Sequence, residues 1–253
     1  MKLYEITFSP TGGTQKAADL LTETLGGKAV AVDLTDSTVD RSALALTSED
    51  VAVIAVPSYG GRVPATAVQR LRAVQGGNAR AVLLCVYGNR AYEDTLVELE
   101  DTARKAGFRV VAAAAAIAEH SIAHRYAAGR PDAEDAKQLW EFAAKIREKL
   151  SAGEDGTPQI PGNRPYKKAG GAGLVPKSTK GCTSCGLCAK KCPVQAIDPS
   201  DPRRTDKSKC IFCMRCVSIC PQSARKVSPL LLAAVNMALK KSCSDRKEGE
   251  LYL

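Results

Sequence analysis

The chain has 253 residues, a hydrophobic fraction of 45% and a formal charge of +9, enough for one large or two modest domains. No apolar run reaches the roughly 18 residues that a bilayer span requires. A charge inside the first apolar stretch, Met1–Ile6, argues against a secretory signal, so a cytoplasmic protein without a membrane span is expected.

Residues 1–150 alternate short apolar runs with amphipathic segments. The runs Leu3–Phe8, Ala29–Leu34, Val51–Val56, Ala81–Val86 and Phe108–Ile117 are rich in Val, Ile and Ala and predict strands buried on both faces. Helical spacing joins Ala17, Leu20, Leu21 and Leu25. It recurs in Ala67, Leu71 and Val74 behind Pro64, and in Leu96, Leu99, Ala103 and Ala106 before Gly107. It is strongest in Ala136, Leu139, Trp140, Ala143, Ile146 and Leu150. Only the segment between the second and third strands is weakly periodic. Strands alternating with helices specify a parallel α/β sheet with right-handed crossovers.

Three strand ends carry unusual loops. The first strand runs into Ser9-Pro10-Thr11-Gly12-Gly13-Thr14 and then a helix. Hydroxyls and N–H groups at a helix start can surround a phosphate, and so short a loop suits a terminal phosphate, as in FMN, better than a pyrophosphate. A polar turn is the alternative. The third strand ends in Pro57-Ser58-Tyr59-Gly60-Gly61-Arg62. The fourth ends in Tyr87-Gly88-Asn89-Arg90-Ala91-Tyr92-Glu93-Asp94. Ligands of open α/β sheets bind at such ends, where an aromatic can stack on a flavin and glycine lets backbone approach its edge. Glu119-His120-Ser121 follows the fifth strand. It either approaches the same site or forms a loop in which His120 bonds locally.

Residues 151–180 contain six Gly and four Pro, the composition of a linker. Beyond it, Cys182-x-x-Cys185-x-x-Cys188-x-x-x-Cys192-Pro193 recurs 28 residues later as Cys210-x-x-Cys213-x-x-Cys216-x-x-x-Cys220-Pro221, and Ala196 recurs as Ala224. This is an internal duplication. A cysteine triple followed by Cys-Pro suits a 4Fe–4S cubane, whereas zinc takes two separated Cys-x-x-Cys pairs. Ser228 and Pro229 then cap an apolar stretch, Leu230–Leu239, and a polar tail from Lys240 is expected to be loose. Cys85 is expected in a strand and Cys243 as a free tail thiol. Between Pro161 and Ser228 there are 14 Lys/Arg and 3 Asp. Two clusters of roughly −2 each offset part of that charge. The remainder predicts a docking surface for an acidic redox protein, and no nucleic-acid recognition motif competes with it.

The cysteine module resembles the bacterial two-cluster ferredoxins. That resemblance implies one cluster on Cys182, Cys185, Cys188 and Cys220, and another on Cys210, Cys213, Cys216 and Cys192. Residues 1–150 resemble flavodoxin, an α/β doubly wound parallel sheet of order 2-1-3-4-5. The resemblance implies an FMN phosphate at Ser9, Thr11, Gly12, Gly13 and Thr14. It puts the ring between Ser58, Tyr59, Gly60 and Gly61 on one side and Tyr87, Gly88, Asn89, Arg90, Tyr92 and Asp94 on the other. Arg62 and Arg90 stand where flavodoxins are usually acidic. Together the motifs are similar to the flavodoxin–ferredoxin fusion proteins of anaerobic bacteria and archaea. The implied organisation is an FMN domain (1–150), a linker (151–180), a small α+β two-cluster ferredoxin domain (181–228) and a C-terminal helix and tail (229–253). The implied activity is electron transfer between FMN, two 4Fe–4S clusters and a redox partner. An FMN-dependent reductase of a small molecule, fed by its own clusters, is the alternative.

Overall fold

The computed structural model describes residues 1–170 and 173–253. Gly171 and Ala172, inside the expected linker, lie outside the described residues. Five parallel strands, β1 (Leu3–Thr7), β2 (Val30–Asp33), β3 (Val51–Pro57), β4 (Arg80–Tyr87) and β5 (Arg109–Ile117), form a sheet of order β2-β1-β3-β4-β5. Helices α1 (Gly13–Gly26), α2 (Ala65–Leu71), α3 (Thr95–Lys105) and α4 (Ala133–Ser151) cover it.

The two-residue side-chain period of a strand divides this core. Ile6, Ile54, Leu83 and Cys85 face Leu71, Leu96 and Leu99 of α2 and α3. Val53, Ala55, Val82, Leu84 and Ala114 face Ala17 and Leu21 of α1 and Leu139, Ala143 and Ile146 of α4. Trp140 stays half-exposed on the outer side of α4. That helix starts on a capping box, in which Asp132 accepts from Glu134 and Asp135 N–H groups. No helix joins β2 to β3. Arg41 is buried in that segment and donates to the carbonyls of Asp33, Val39 and Asp36, replacing the hydrogen bonds that a helix would supply.

The cysteine module holds two single-turn helices, α5 (Leu187–Lys190) and α6 (Arg215–Ser218). A two-stranded ribbon joins β6 (Lys177–Ser178) to β7 (Arg225–Lys226). The duplication is visible in the backbone, since Ser184 and Phe212 share a positive φ (56° and 55°), as do Gln195 and Ser223 (51° and 46°).

The C-terminal residues depart from expectation. Helix α7 (Pro229–Cys243) starts at Ser228 with Pro229 in its first turn and runs into the supposed loose tail. Glu250–Tyr252 then form β8, antiparallel to β5, with Ala113 opposite Tyr252 and Ala115 opposite Glu250. Cys243 is a free thiol, but it ends α7 and does not lie in a loose tail. It is buried with Ala123 and Tyr126 against Val235 and Leu239.

The Gly/Pro-rich segment is docked as well. Asp94 accepts from the Asn163 and Lys167 N–H groups at 2.8 and 2.7 Å, and Arg164 pairs with Asp101 and Glu100 at 2.8 and 2.9 Å. Among the described residues no helix is long and apolar enough to cross a membrane.

Candidate functional site

The Ser9–Thr14 loop is built by its own side chains. The Ser9 hydroxyl accepts from Gln15 N–H at 2.9 Å and the Ser9 N–H donates to Thr35 Oγ1 at 2.7 Å. Gly12 takes φ 93°, a left-handed conformation that a side chain would strain. No protein group among the described residues accepts from the N–H groups of Thr11, Gly12, Gly13 or Thr14. These donors at the start of α1 fit a phosphate. Arg215 of α6 reaches the outside of the loop, donating to Pro10 O at 3.1 Å and Ser9 O at 3.4 Å.

In the second loop, reciprocal bonds between Tyr59 and Arg62 (2.9 and 3.3 Å) close a tight turn through Gly60 and Gly61, both at positive φ. A Cβ on Gly61 would collide with the Glu93 side chain. Tyr59 is half-buried. Burial, and then the nearby Cys213 thiol, push its hydroxyl well above the ordinary tyrosine range. Arg62 does not carry a free charge. It forms a fork with Glu98 at 2.7 Å and lies 4.9 Å over the Tyr166 ring.

In the third loop, Tyr87 is buried edge-on to Tyr92 at 5.3 Å, and Arg90 pairs with Glu93 at 2.9 Å. The fifth strand ends beside it, where the His120 ring packs on Gly88.

These loops surround a cavity of about 670 Å³, within the range of cofactor sites. Of the residues singled out in sequence, Thr11, Gly13, Thr14, Ser58, Tyr59, Gly60, Tyr87, Gly88 and Arg90 line it. Ser9, Gly12 and Gly61 shape the loops without lining it.

Asn89, Tyr92 and Asp94 are directed elsewhere. Asn89 donates to the carbonyls of Cys243 and Asp245, both at 2.8 Å. The Tyr92 hydroxyl bonds Glu250 and Tyr252, both at 2.7 Å. Asp94 holds the linker. All three residues anchor distant parts of the chain, and their own loop gives no sign of that.

Three walls were missed in sequence. Ala169 and Gly170 come from the linker, Val235 and Leu239 from α7, and Cys210, Ile211 and Phe212 from the cysteine module. A signal existed for the last. Ile211-Phe212 is apolar where the first repeat has Thr183-Ser184, and Arg215 replaces Leu187. One repeat is thus dressed for burial and the other for solvent.

The eight repeat cysteines divide between two small cavities. Cys182, Cys185, Cys188 and Cys220 line one, and Cys192, Cys210, Cys213 and Cys216 line the other. Matched bonds of 3.3 Å run from Ala196 N–H to Cys192 Sγ and from Ala224 N–H to Cys220 Sγ. Among the described residues no three His, Cys, Asp or Glu side chains converge to hold a single metal ion. Four thiols line each small cavity, a donor set that fits a cubane in which each iron takes one thiolate. Burial pushes Cys213 and Cys216 up to about 12, so their ionisation calls for adjacent positive charge of the kind iron supplies. Cys210 and Ile211 line both the second of these cavities and the large one.

Residues 181–225 match the family model described as a 4Fe-4S dicluster domain. The chain is similar to NADH-quinone oxidoreductase subunit I of Pelobacter propionicus (38% identity over 61 residues, 19% of this chain and 33% of that protein). It is also similar to one component of the ion-translocating oxidoreductase complex of Methanosarcina acetivorans (44% over 45 residues, 17% of each). The chain thus spans a third or less of the length of these curated relatives. Among solved structures, it is similar to a flavodoxin from the domain Archaea, with TM-score 0.44 and 13% identity, covering 60% of this chain and 99% of that one. Another is a two-electron reduced flavodoxin of Megasphaera elsdenii, with TM-score 0.39 and 18% identity, covering 56% and 98%. Strand order and family match together define the chain as a flavodoxin-like α/β sheet carrying a C-terminal 4Fe–4S dicluster domain.

Proposed function

We propose that this protein transfers electrons between an FMN held in the large cavity, two 4Fe–4S clusters and an external redox protein. We also propose its kinship with the flavodoxin–ferredoxin fusion proteins of anaerobes. The observation that carries this reading is the shared wall. Cys210 and Ile211 border both the large cavity and the cavity of Cys192, Cys210, Cys213 and Cys216. FMN supplies one- and two-electron chemistry and each cluster supplies one-electron chemistry.

In this reading the Thr11–Thr14 N–H groups hold the phosphate, and Tyr59 and Tyr87 flank the ring. Cys192, Cys210, Cys213 and Cys216 hold the cluster beside the flavin, and Cys182, Cys185, Cys188 and Cys220 hold the outer one. Residues 1–150 and 181–228 form the two cofactor units, with 151–180 and 229–253 as straps across them. Cys185 is exposed, and so are Lys180, Lys190, Arg203 and Lys226 in the same module. That charge fits an acidic protein docking at the outer cluster. Ile211, Phe212, Val235 and Leu239 wall the flavin cavity, which favours electron exchange through the clusters over reduction of a small molecule at the ring.

Cofactor analysis of anaerobically purified full-length protein tests this. About eight iron, about eight sulfide and one FMN per chain are expected from two Cys₄-ligated cubanes and one flavin site. Zinc in place of iron, or purified protein without affinity for FMN, overturns it.

A further inference from the structure

His120 is half-buried at the end of β5, and its ring lies in the wall of the large cavity. Its two nitrogens have different surroundings. Nδ1 accepts from the N–H groups of Ile122 and Ala123 at 3.2 and 3.1 Å. An imidazole nitrogen that accepts two N–H groups cannot also carry a proton, so the neutral ring must bear its proton on Nε2. The loop that imposes this is itself held. His120 N–H donates to Tyr126 O at 3.1 Å, and Ala123 and Tyr126 pack against Val235, Leu239 and Cys243 of α7. Gly88 makes room for the ring, because a Cβ there would stand 2.7 Å from His120 Cδ2.

The other polar side chains of the wall are mostly spent within the protein. Arg62 is paired with Glu98, Arg90 with Glu93, Ser58 with Thr95, and Glu119 with His124 and Gly129 N–H. The His120 Nε2–H has no protein acceptor among the described residues.

We propose that His120 is a flavin-binding residue of fixed tautomer, its Nδ1 committed to its own loop and its Nε2–H donating to an oxygen of the flavin. This rests on the flavin reading above and assigns a role within it. The acceptor is a phosphate, ribityl or ring-carbonyl oxygen, all of which take a neutral N–H donor.

Two measurements test it on the full chain. The first is two-bond ¹⁵N–¹H correlation of the histidine-labelled protein near neutral pH, which is expected to show His120 protonated on Nε2. A proton on Nδ1 overturns the proposal whether or not flavin is bound. The second is binding of FMN and of riboflavin to wild type and to His120→Asn. Asparagine places an acceptor near the position of Nδ1, as in an Asx turn, so it keeps the loop and removes the Nε2–H donor. Iron content and thermal stability of the variant are expected to match wild type. Its Kd for FMN is expected to rise about five-fold, the worth of one neutral hydrogen bond. An equal rise for riboflavin places the acceptor on the ring or ribityl chain. A rise for FMN alone places it on the phosphate. Unchanged FMN affinity in His120→Asn overturns this proposal alone, whereas a wild-type chain that binds neither flavin overturns the flavin reading together with it.

Discussion

Arg62 and Arg90 stand in the loops flanking the cavity, but each is already balanced by a carboxylate. Glu98, the partner of Arg62, is 7% exposed and also accepts from Val63 N–H at 2.9 Å. Removing Arg62 leaves that carboxylate nearly buried without its cation. Arg62→Gln is therefore expected to cost about 2–3 kcal/mol in chemical denaturation, below the range for fully buried pairs because Arg62 is partly exposed. Arg90 and Glu93 are both about a third exposed, and Arg90→Gln is expected to cost less than about 1 kcal/mol. His120 adds a pH signature. Burial is the main cause lowering its pKa from 6.5, and the charges of His124 and Arg90 add to it. Glu119 faces His124, and Glu93 faces Arg90. As pH falls, the unfolded chain takes up this proton first. The stability from a neutral His120 is thus present above pH 6.5 and lost as pH falls through the folded value. An NMR titration of the ring Cε1–H is expected to give a midpoint below 6.5. The glycines and hydroxyls of the three loops were legible because they act on their own backbone. The partners of Asn89, Tyr92 and Asp94 were illegible because Cys243, Glu250 and Asn163 lie far along the chain.

At the scale of elements, the five strands and four helices of the sheet were legible because burial on both faces writes long apolar runs. Strand β8 was not. Three residues, Glu250-Leu251-Tyr252, follow a polar segment and carry no period that could be read. Their pairing is created by the exposed edge of β5 and by side chains from elsewhere. The Tyr92 hydroxyl bonds Glu250 and Tyr252, Arg246 pairs with Asp132 at 2.7 Å, and Gly249 N–H donates to Gln138 at 2.7 Å. The linker was likewise legible as non-helical and illegible as docked, since composition reports backbone freedom but not the carboxylates of Asp94 and Asp101 waiting for it. Tyr92→Phe keeps the packing against Tyr87 and removes the hydroxyl bonds to the strap, with an expected loss of about 1–2 kcal/mol in thermal or chemical unfolding. A fragment ending at residue 150 lacks β8 and leaves the Ala113–Ala115 edge unpaired. Although a Gly/Pro-rich boundary suggests independent folding, this fragment should unfold at lower temperature than the full chain and self-associate in size-exclusion chromatography, because an open apolar edge templates strand pairing.

The whole molecule gives a symmetric duplication two different surroundings. Both repeats keep the cysteine spacing, yet their contacts with the sheet domain differ. Ile211 and Phe212 close the large cavity, Arg215 grips the Ser9–Pro10 carbonyls, and Arg70 of α2 reaches the carbonyl of Pro193 beside Cys192. The first repeat keeps Thr183 and Ser184 at the equivalent positions, and its Cys185 is exposed. The two cysteine sets are therefore inequivalent. Cys210 brings the set of Cys192, Cys210, Cys213 and Cys216 to the large cavity, and Cys185 brings the set of Cys182, Cys185, Cys188 and Cys220 to solvent. Substituting one member of each set separates their roles. In Cys185→Ala the set beside the cavity is intact, and photoreduced flavin is expected to share electrons with the remaining iron–sulfur centre as fast as in wild type. In Cys213→Ala the intermediate position is lost, and exchange between flavin and the outer set should slow markedly in anaerobic transient absorption. Reduction of an acidic one-electron acceptor should fall in both variants, and in wild type it should weaken as salt screens the basic outer surface. Equal intramolecular rates in the two variants would show that neither set has priority, and would remove the shared wall of Cys210 and Ile211 as the route between the two halves.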